Sequence, residues 1–172
     1  FVAIMGRSGA GKSTLLYQLS LLDIPTAGTI KIEGKDTSKF NLNTQTKYRL
    51  KNMGFVFQDY ALIPELTATE NAMLPLLMQG EDYEVAKWKA NQKLISLGLE
   101  NQVDHLPSQL SGGEQQRVSV ARAIVHDPKI IFADEPTANL DLASAQNIID
   151  ILSRLCKEEK HTIVMVTHEE EY

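Results

Sequence analysis

Apolar residues fall along this chain in two kinds of run. Four are short and unbroken, at 1–5, 54–57, 129–133 and 162–166, the pattern of parallel strands buried on both faces. A shorter candidate strand at 29–32 is closed by Gly34. Elsewhere the apolar positions recur every three or four residues and predict helices. Leu15, Leu16, Leu19 and Leu22 mark one side of a first helix, Val118, Ala121, Ile124 and Val125 a later one, and Ile148, Ile149, Leu152 and Leu155 the last. A brief helix is also predicted around 47–50. Between 58 and about 128 the strand signals vanish. Thr67 and Glu70 have capping-box spacing ahead of a helix over 71–79, kinked or broken at Pro75, and a second helix follows over 81–97. Strands alternating with helices predict an α/β fold, a parallel sheet flanked by helices. The expected division is a core of 1–58 and 129–172, truncated at both ends, with an inserted α-helical subdomain over 59–128. No internal repeat or heptad run is present, which argues against tandem arrays and coiled-coil arms.

The first strand pattern runs straight into Gly6-Arg7-Ser8-Gly9-Ala10-Gly11-Lys12-Ser13, followed by Thr14. This fits G-x-x-x-x-G-K-[ST], a phosphate-binding loop between a strand and a helix. Glycines let successive N–H groups converge on phosphate oxygens, Lys12 can reach the terminal phosphates, and the Ser13 hydroxyl a bound Mg²⁺. The core is therefore expected to be a P-loop NTPase. Kinases, GTPases, motors and transport ATPases all use such a loop, so it leaves the use of the nucleotide open.

Composition trims the alternatives. With 172 residues, 43% hydrophobic, the chain can bury one substantial core. Its formal net charge of −5 gives no long-range attraction to nucleic acid, which is not an expected partner. The single cysteine, Cys156, excludes an intrachain disulfide framework; its place in an apolar helical pattern predicts a buried thiol in an intracellular protein. No segment reaches the roughly 18 apolar residues of a membrane-spanning helix, and no signal peptide opens the chain. The chain is expected to be soluble in itself. It begins inside one strand pattern and ends just after another, as a trimmed domain would.

Two further motifs narrow the chemistry. The strand at 130–133 runs into Asp134-Glu135, placing two carboxylates at the ligand-binding edge of a parallel sheet. An Asp there can hold Mg²⁺ through its water shell, and the adjacent Glu can polarise a water for in-line attack on a γ-phosphate. Leu110-Ser111-Gly112-Gly113-Glu114-Gln115-Gln116-Arg117 opens a helix. A capping box explains Ser111 and Glu114 but not two glycines, each of which lowers helix propensity by about 1 kcal/mol relative to Ala. They bare the first-turn amides, and a second anion site is the inference.

In this order and spacing, Gly6 to Thr14, Gln58, Leu110 to Gln115, Ile130 to Glu135, Ala138-Asn139-Leu140-Asp141 and His168 resemble the nucleotide-binding domain of an ABC transporter. The resemblance spans nearly the whole chain and implies roles that spacing alone does not. Two such domains would pair head to tail, each ATP lying between the phosphate loop of one copy and the Ser-Gly-Gly helix of the other. Gly6, Arg7, Ser8, Gly9, Ala10, Gly11, Lys12, Ser13 and Thr14 would cradle the phosphates. Ser13 and Gln58 would help coordinate Mg²⁺, with Asp134 behind them. Glu135 would be the general base, and His168 the residue holding it and the attacking water in line. Ser111, Gly112, Gly113 and Gln115 would face the partner's ATP, and Asp141 would couple the two sites. His105, His126 and His161 match no motif and are expected at the surface.

The same resemblance implies an integral membrane permease as partner and a peripheral, cytoplasmic place beside it. Tyr60, Leu62, Ile63, Leu66, Met73, Leu76, Leu77 and Met78 are candidates for the groove that receives it, although for any one of them packing in the subdomain core is the favoured alternative. The stretches 70–76 and 134–141 resemble the branch of lipoprotein-release, macrolide or peptide export, and cell-division ATPases. Ala138, where that branch commonly has Gly, blurs the substrate and leaves hydrolysis untouched. The competing class is a non-transport ABC ATPase in cell division, chromosome organisation, DNA repair or translation. Its members carry coiled-coil insertions or tandem ATPase domains, and the stretch between Lys12 and Ser111 is too short for such an arm. A binding module without turnover is disfavoured by the presence of both Glu135 and His168. The family's adenine-stacking aromatic would lie upstream of Phe1.

Overall fold

Four apolar strands build one parallel sheet. In the computed structural model, which describes residues 1–168, β1 (Val2–Met5), β4 (Met53–Val56), β5 (Ile130–Asp134) and β6 (Thr162–Thr167) stand in the order β1-β6-β5-β4. The last four residues of the expected core, 169–172, lie outside the described residues. Alternate positions along the strands feed two apolar clusters. Ile131, Ala133, Ile163 and Met165 face one side, joined by Val56. Phe132 and Val166 face the other, with Met53 and Leu16. Both faces of the sheet are covered at β4, β5 and β6, which is why those strands read as unbroken apolar runs; β1, at the edge, departs from the expectation, with Val2 and Met5 exposed.

The first side is packed by α3 (Ala68–Met78), α4 (Tyr83–Ser96), α5 (Gly112–Ile124) and α6 (Leu142–Lys157). The second carries α1 (Lys12–Leu19), α2 (Leu42–Asn52) and a small antiparallel hairpin, β2 (Lys31–Ile32) with β3 (Lys35–Asp36). The candidate strand at 29–32 thus belongs to this hairpin and not to the parallel sheet. Its turn is made by Glu33 and Gly34, both with positive φ, as a two-residue hairpin turn of right-handed strands requires.

Several expectations are corrected. The predicted α1 stripe fails at Leu15 and Leu22, which are exposed; Leu16 and Leu21 are the buried leucines, because the helix stops at Leu19 and Leu21 turns inward with φ 60°. The short helix at 47–50 is the second half of the 11-residue α2, started by Asn41, whose side chain accepts from the Thr44 N–H. Helix α3 runs unbroken through Pro75. Proline there removes one helical donor, and the helix is held by packing, with Met73 and Leu76 buried in the core. Those two therefore leave the list of groove candidates. Cys156 is half-buried, and His161 is a buried residue whose Nδ1 lies 2.6 Å from the Pro128 carbonyl oxygen. His105 and His126 are half-buried.

Helix α5 lies so close to β4 that a Cβ built on Gly54 would stand 2.1 Å from the Ala123 carbonyl oxygen. Only glycine permits that approach, and backbone, unlike a side-chain tip, cannot swing away. Gly54→Ala is expected to destabilise the fold by about 3 kcal/mol, read as a lower urea midpoint; an unchanged midpoint would refute the close approach.

Candidate functional site

The site begins where β1 ends. Gly9 and Gly11 have φ of 79° and 87° with open space where a Cβ would stand, so backbone conformation, not crowding, requires glycine. Arg7, Ser8, Gly9, Ala10, Gly11 and Thr14 are all exposed along this turn. Lys12 opens α1 and is nearly buried; its Nζ donates to the carbonyls of Gly6 at 2.9 Å and Arg7 at 3.3 Å. Five of the six α-helices among the described residues have a side-chain N-cap: Asn41, Thr67, Asp82, Ser111 and Asp141. Helix α1 has none, and Gly11 precedes it.

Strands β5 and β6 bring the rest of the machinery alongside. Asp134, at the end of β5, is buried and accepts from the Ser13 hydroxyl at 2.9 Å. Glu135 follows in a left-handed conformation with φ 43°, its N–H donating to the Val166 carbonyl of β6. This turn sends the Glu135 carboxylate away from Ser13. Its Oε1 lies 3.8 Å from Lys12 Nζ and its Oε2 3.0 Å from Nδ1 of His168, which directly follows β6. Glu135 is largely shielded while His168 is half-exposed, so the pair lies at the edge of solvent.

Tyr17, one turn after Ser13, was not anticipated. Its hydroxyl is pushed up to about 12, first by burial and then by a hydrogen bond to Asp134 and that carboxylate's charge. The i, i+4 spacing of Ser13 and Tyr17 was the available signal.

A second group of predicted residues assembles around the start of α5. Ser111 and Glu114 form the expected capping box, and these bonds hold the Glu114 carboxyl below the usual range. A Cβ on Gly112 would lie 2.9 Å from the Tyr60 hydroxyl, and one on Gly113 would lie 2.7 Å from Ser144 Oγ. The glycine pair thus also admits close neighbours, a reason that spacing did not reveal. Gln115 turns its Nε2 to the Leu110 carbonyl at 3.1 Å. Asp141 is exposed and caps α6, accepting from Ser144 Oγ at 2.6 Å, a bond that also lowers its pKa. Gln58 is exposed, and its carbonyl accepts from Asn139 Nδ2 at 3.1 Å.

Comparison with known proteins supplies the family. A family model described as ABC transporter matches residues 1–138. The chain belongs to the ABC transporter family. It is an ATP-binding cassette of that family, an ATPase. It is 48% identical over 171 residues to the lipoprotein-releasing system ATP-binding protein LolD of Aquifex aeolicus, covering 99% of this chain and 76% of that one. It is 46% identical over 168 residues to LolD of Xanthomonas campestris pv. campestris (strain 8004), covering 98% and 70%. Among solved structures it resembles the dimeric, post-hydrolysis state of the cassette MJ0796 bound to ADP and Pi. The TM-score is 0.90 at 43% identity, over 98% of this chain and 75% of that one.

The Tyr17–Asp134 pair yields a direct check. An absorbance titration of wild type minus Tyr17→Phe should show one tyrosine ionising near 12. Asp134→Asn should move that tyrosine toward the ordinary range without reaching it, because burial remains; no movement would exclude the Asp134 contact.

Proposed function

We propose that the cassette hydrolyses ATP between two copies arranged head to tail and thereby drives a membrane permease that handles lipoproteins. The observation that carries this is the Glu135 carboxylate, held between Lys12 from the phosphate loop and His168 from β6. A base in that position has one oxygen beside the cation that reaches the terminal phosphate and the other beside a hydrogen-bonding imidazole. Glu135 takes a proton from water as the water oxygen bonds to the γ-phosphorus and the bond to the ADP oxygen breaks. His168 fixes the carboxylate's direction, the main lever in phosphoryl transfer.

The donors fit a magnesium nucleotide. Ser13 Oγ and Asp134 Oδ1, 2.9 Å apart, are hard oxygen ligands of the kind Mg²⁺ prefers. Among the described residues no group of three or more His, Cys, Asp or Glu could hold a metal ion, which suits an ion bound largely through phosphate and water, with Gln58 at the rim. Mg²⁺ would neutralise charge on the phosphate oxygens. Gly6 to Thr14 hold the phosphates of one ATP, while Ser111, Gly112, Gly113 and Gln115 of a second copy close over it and Asp141 lies at the seam. The dimeric solved structures of a similar cassette support this pairing.

The lipoprotein reading rests on relatives named for lipoprotein release. None of the described helices is long and apolar enough to cross a membrane; in this reading the cassette sits on the cytoplasmic face, against the permease. An apolar groove of about 330 Å³ between α2, β4 and α3 offers the docking place, walled by Leu22, Leu50, Phe57, Leu74 and Met78. Of these Met78 is 68% exposed. In this reading 59–128 acts as the helical subdomain between that groove and the partner's ATP.

Glu135→Gln should abolish turnover while ATP binding persists and an ATP-stabilised dimer appears on size exclusion; continued hydrolysis would overturn the base. Ser111→Ala should weaken that dimer and leave the ATP affinity of the monomer within about twofold, as expected for a contact made only across the interface. Affinity capture should recover an integral membrane protein, and selective recovery of ribosomes or DNA would sink the transport reading.

A further inference from the structure

Gln116 sits fully buried in α5, a polar side chain within that helix's apolar side. Its Nε2 lies 2.7 Å from the Pro136 carbonyl oxygen and 3.3 Å from that of Phe57. Both partners are acceptors, so the amide nitrogen must face them and give one N–H to each. Oε1 then points where no hydrogen-bond partner is present among the described residues.

The two carbonyls lie just beyond different strands, β4 and β5, and adjoin different parts of the site. Phe57 immediately precedes Gln58, and Pro136 immediately follows Glu135. The ladder between β4 and β5 ends at Val56 opposite Ala133. Gln116 bridges the two segments just past that end, where the strands no longer hold each other. The left-handed backbone of Glu135 is costly for a residue with a Cβ and persists only where neighbours enforce it. Its own N–H is held by Val166 and its carbonyl by the Ala138 N–H; the next carbonyl along is held by Gln116.

We propose that Gln116 is a positioning residue for hydrolysis, a single buried amide that sets Glu135 and Gln58 relative to each other and to α5. The proposal rests on the reading of Glu135 as the base. Ser111, Gly112 and Gly113 stand one turn away on the same helix, so a phosphate engaging that end from the second copy shifts both carbonyls together. Closure of the dimer is thereby felt at the base through one side chain.

Two variants of the complete protein test this. Gln116→Met keeps the length and loses both donors, and Gln116→Glu keeps the shape but sets acceptors against acceptors. The readouts are kcat per nucleotide-binding site, KM for ATP, and amide hydrogen exchange over 57–60 and 135–138. Gln116→Met should lower kcat per site by roughly tenfold or more, since a misplacement of about 1 Å can cost on the order of a hundredfold, with KM within about threefold. Exchange should rise in both segments, and Gln116→Glu should be slower still. A kcat per site within about twofold of wild type, or a fall matched by equal loss of nucleotide-binding sites, would overturn the proposal. Turnover by Glu135→Gln would instead remove the base and leave the Gln116→Met comparison readable.

Discussion

The parallel hydrogen-bond ladder is the constraint from which the site follows. Parallel strands deliver all their C-terminal ends to one edge, and the register sets Met5 beside Thr167 and Asp134 beside Val166. The residues that leave that edge, Gly6, Glu135 and His168, therefore emerge as neighbours although they span nearly the whole chain. A shift of one residue in β5 would exchange its two faces and carry Asp134 away from Ser13. Site geometry and core packing are thus two readings of one register.

Charge is distributed along that edge with the same economy. Lys12 is a nearly buried cation that rests on two backbone carbonyls and one carboxylate. Asp134 and Glu135 are adjacent in sequence, yet the left-handed turn at Glu135 points one at Ser13 and the other at Lys12 and His168. Like charges are kept apart, so each carboxylate keeps its own partner. Tyr17 is held in its neutral form beside Asp134, an uncharged neighbour of that carboxylate.

Much of this was legible in the chain because periodicity and motif report different physics. Strands covered on both faces must be continuously apolar, and a phosphate loop needs glycine at set spacings; both signals are local. Less visible were features decided by contact. The apolar content of α1 could not tell Leu15 from Leu21, because inward orientation depends on where the helix stops. Pro75 reads as a kink or a break, yet α3 continues through it without a break. Gly112 and Gly113 suggested bare amides, whereas Tyr60 and Ser144, distant in sequence, occupy the space beside them. Asp141 has a cap's local pattern, and its bonds to α6 could have been foreseen from Ser144 three residues on.

The bare start of α1 carries a consequence of its own. Every α-helix among the others described brings an oxygen to its first amides, whereas Gly11 brings none, and those donors must be satisfied from outside the chain. On the proposed reading, the nucleotide phosphate would be a residue the sequence does not encode, completing a secondary-structure element as a serine would. Folding and ligand occupancy would then share one equilibrium, and the cassette's resistance to unfolding would rise with the logarithm of nucleotide concentration above the dissociation constant. For a protein so built, nucleotide supply would also be a folding condition.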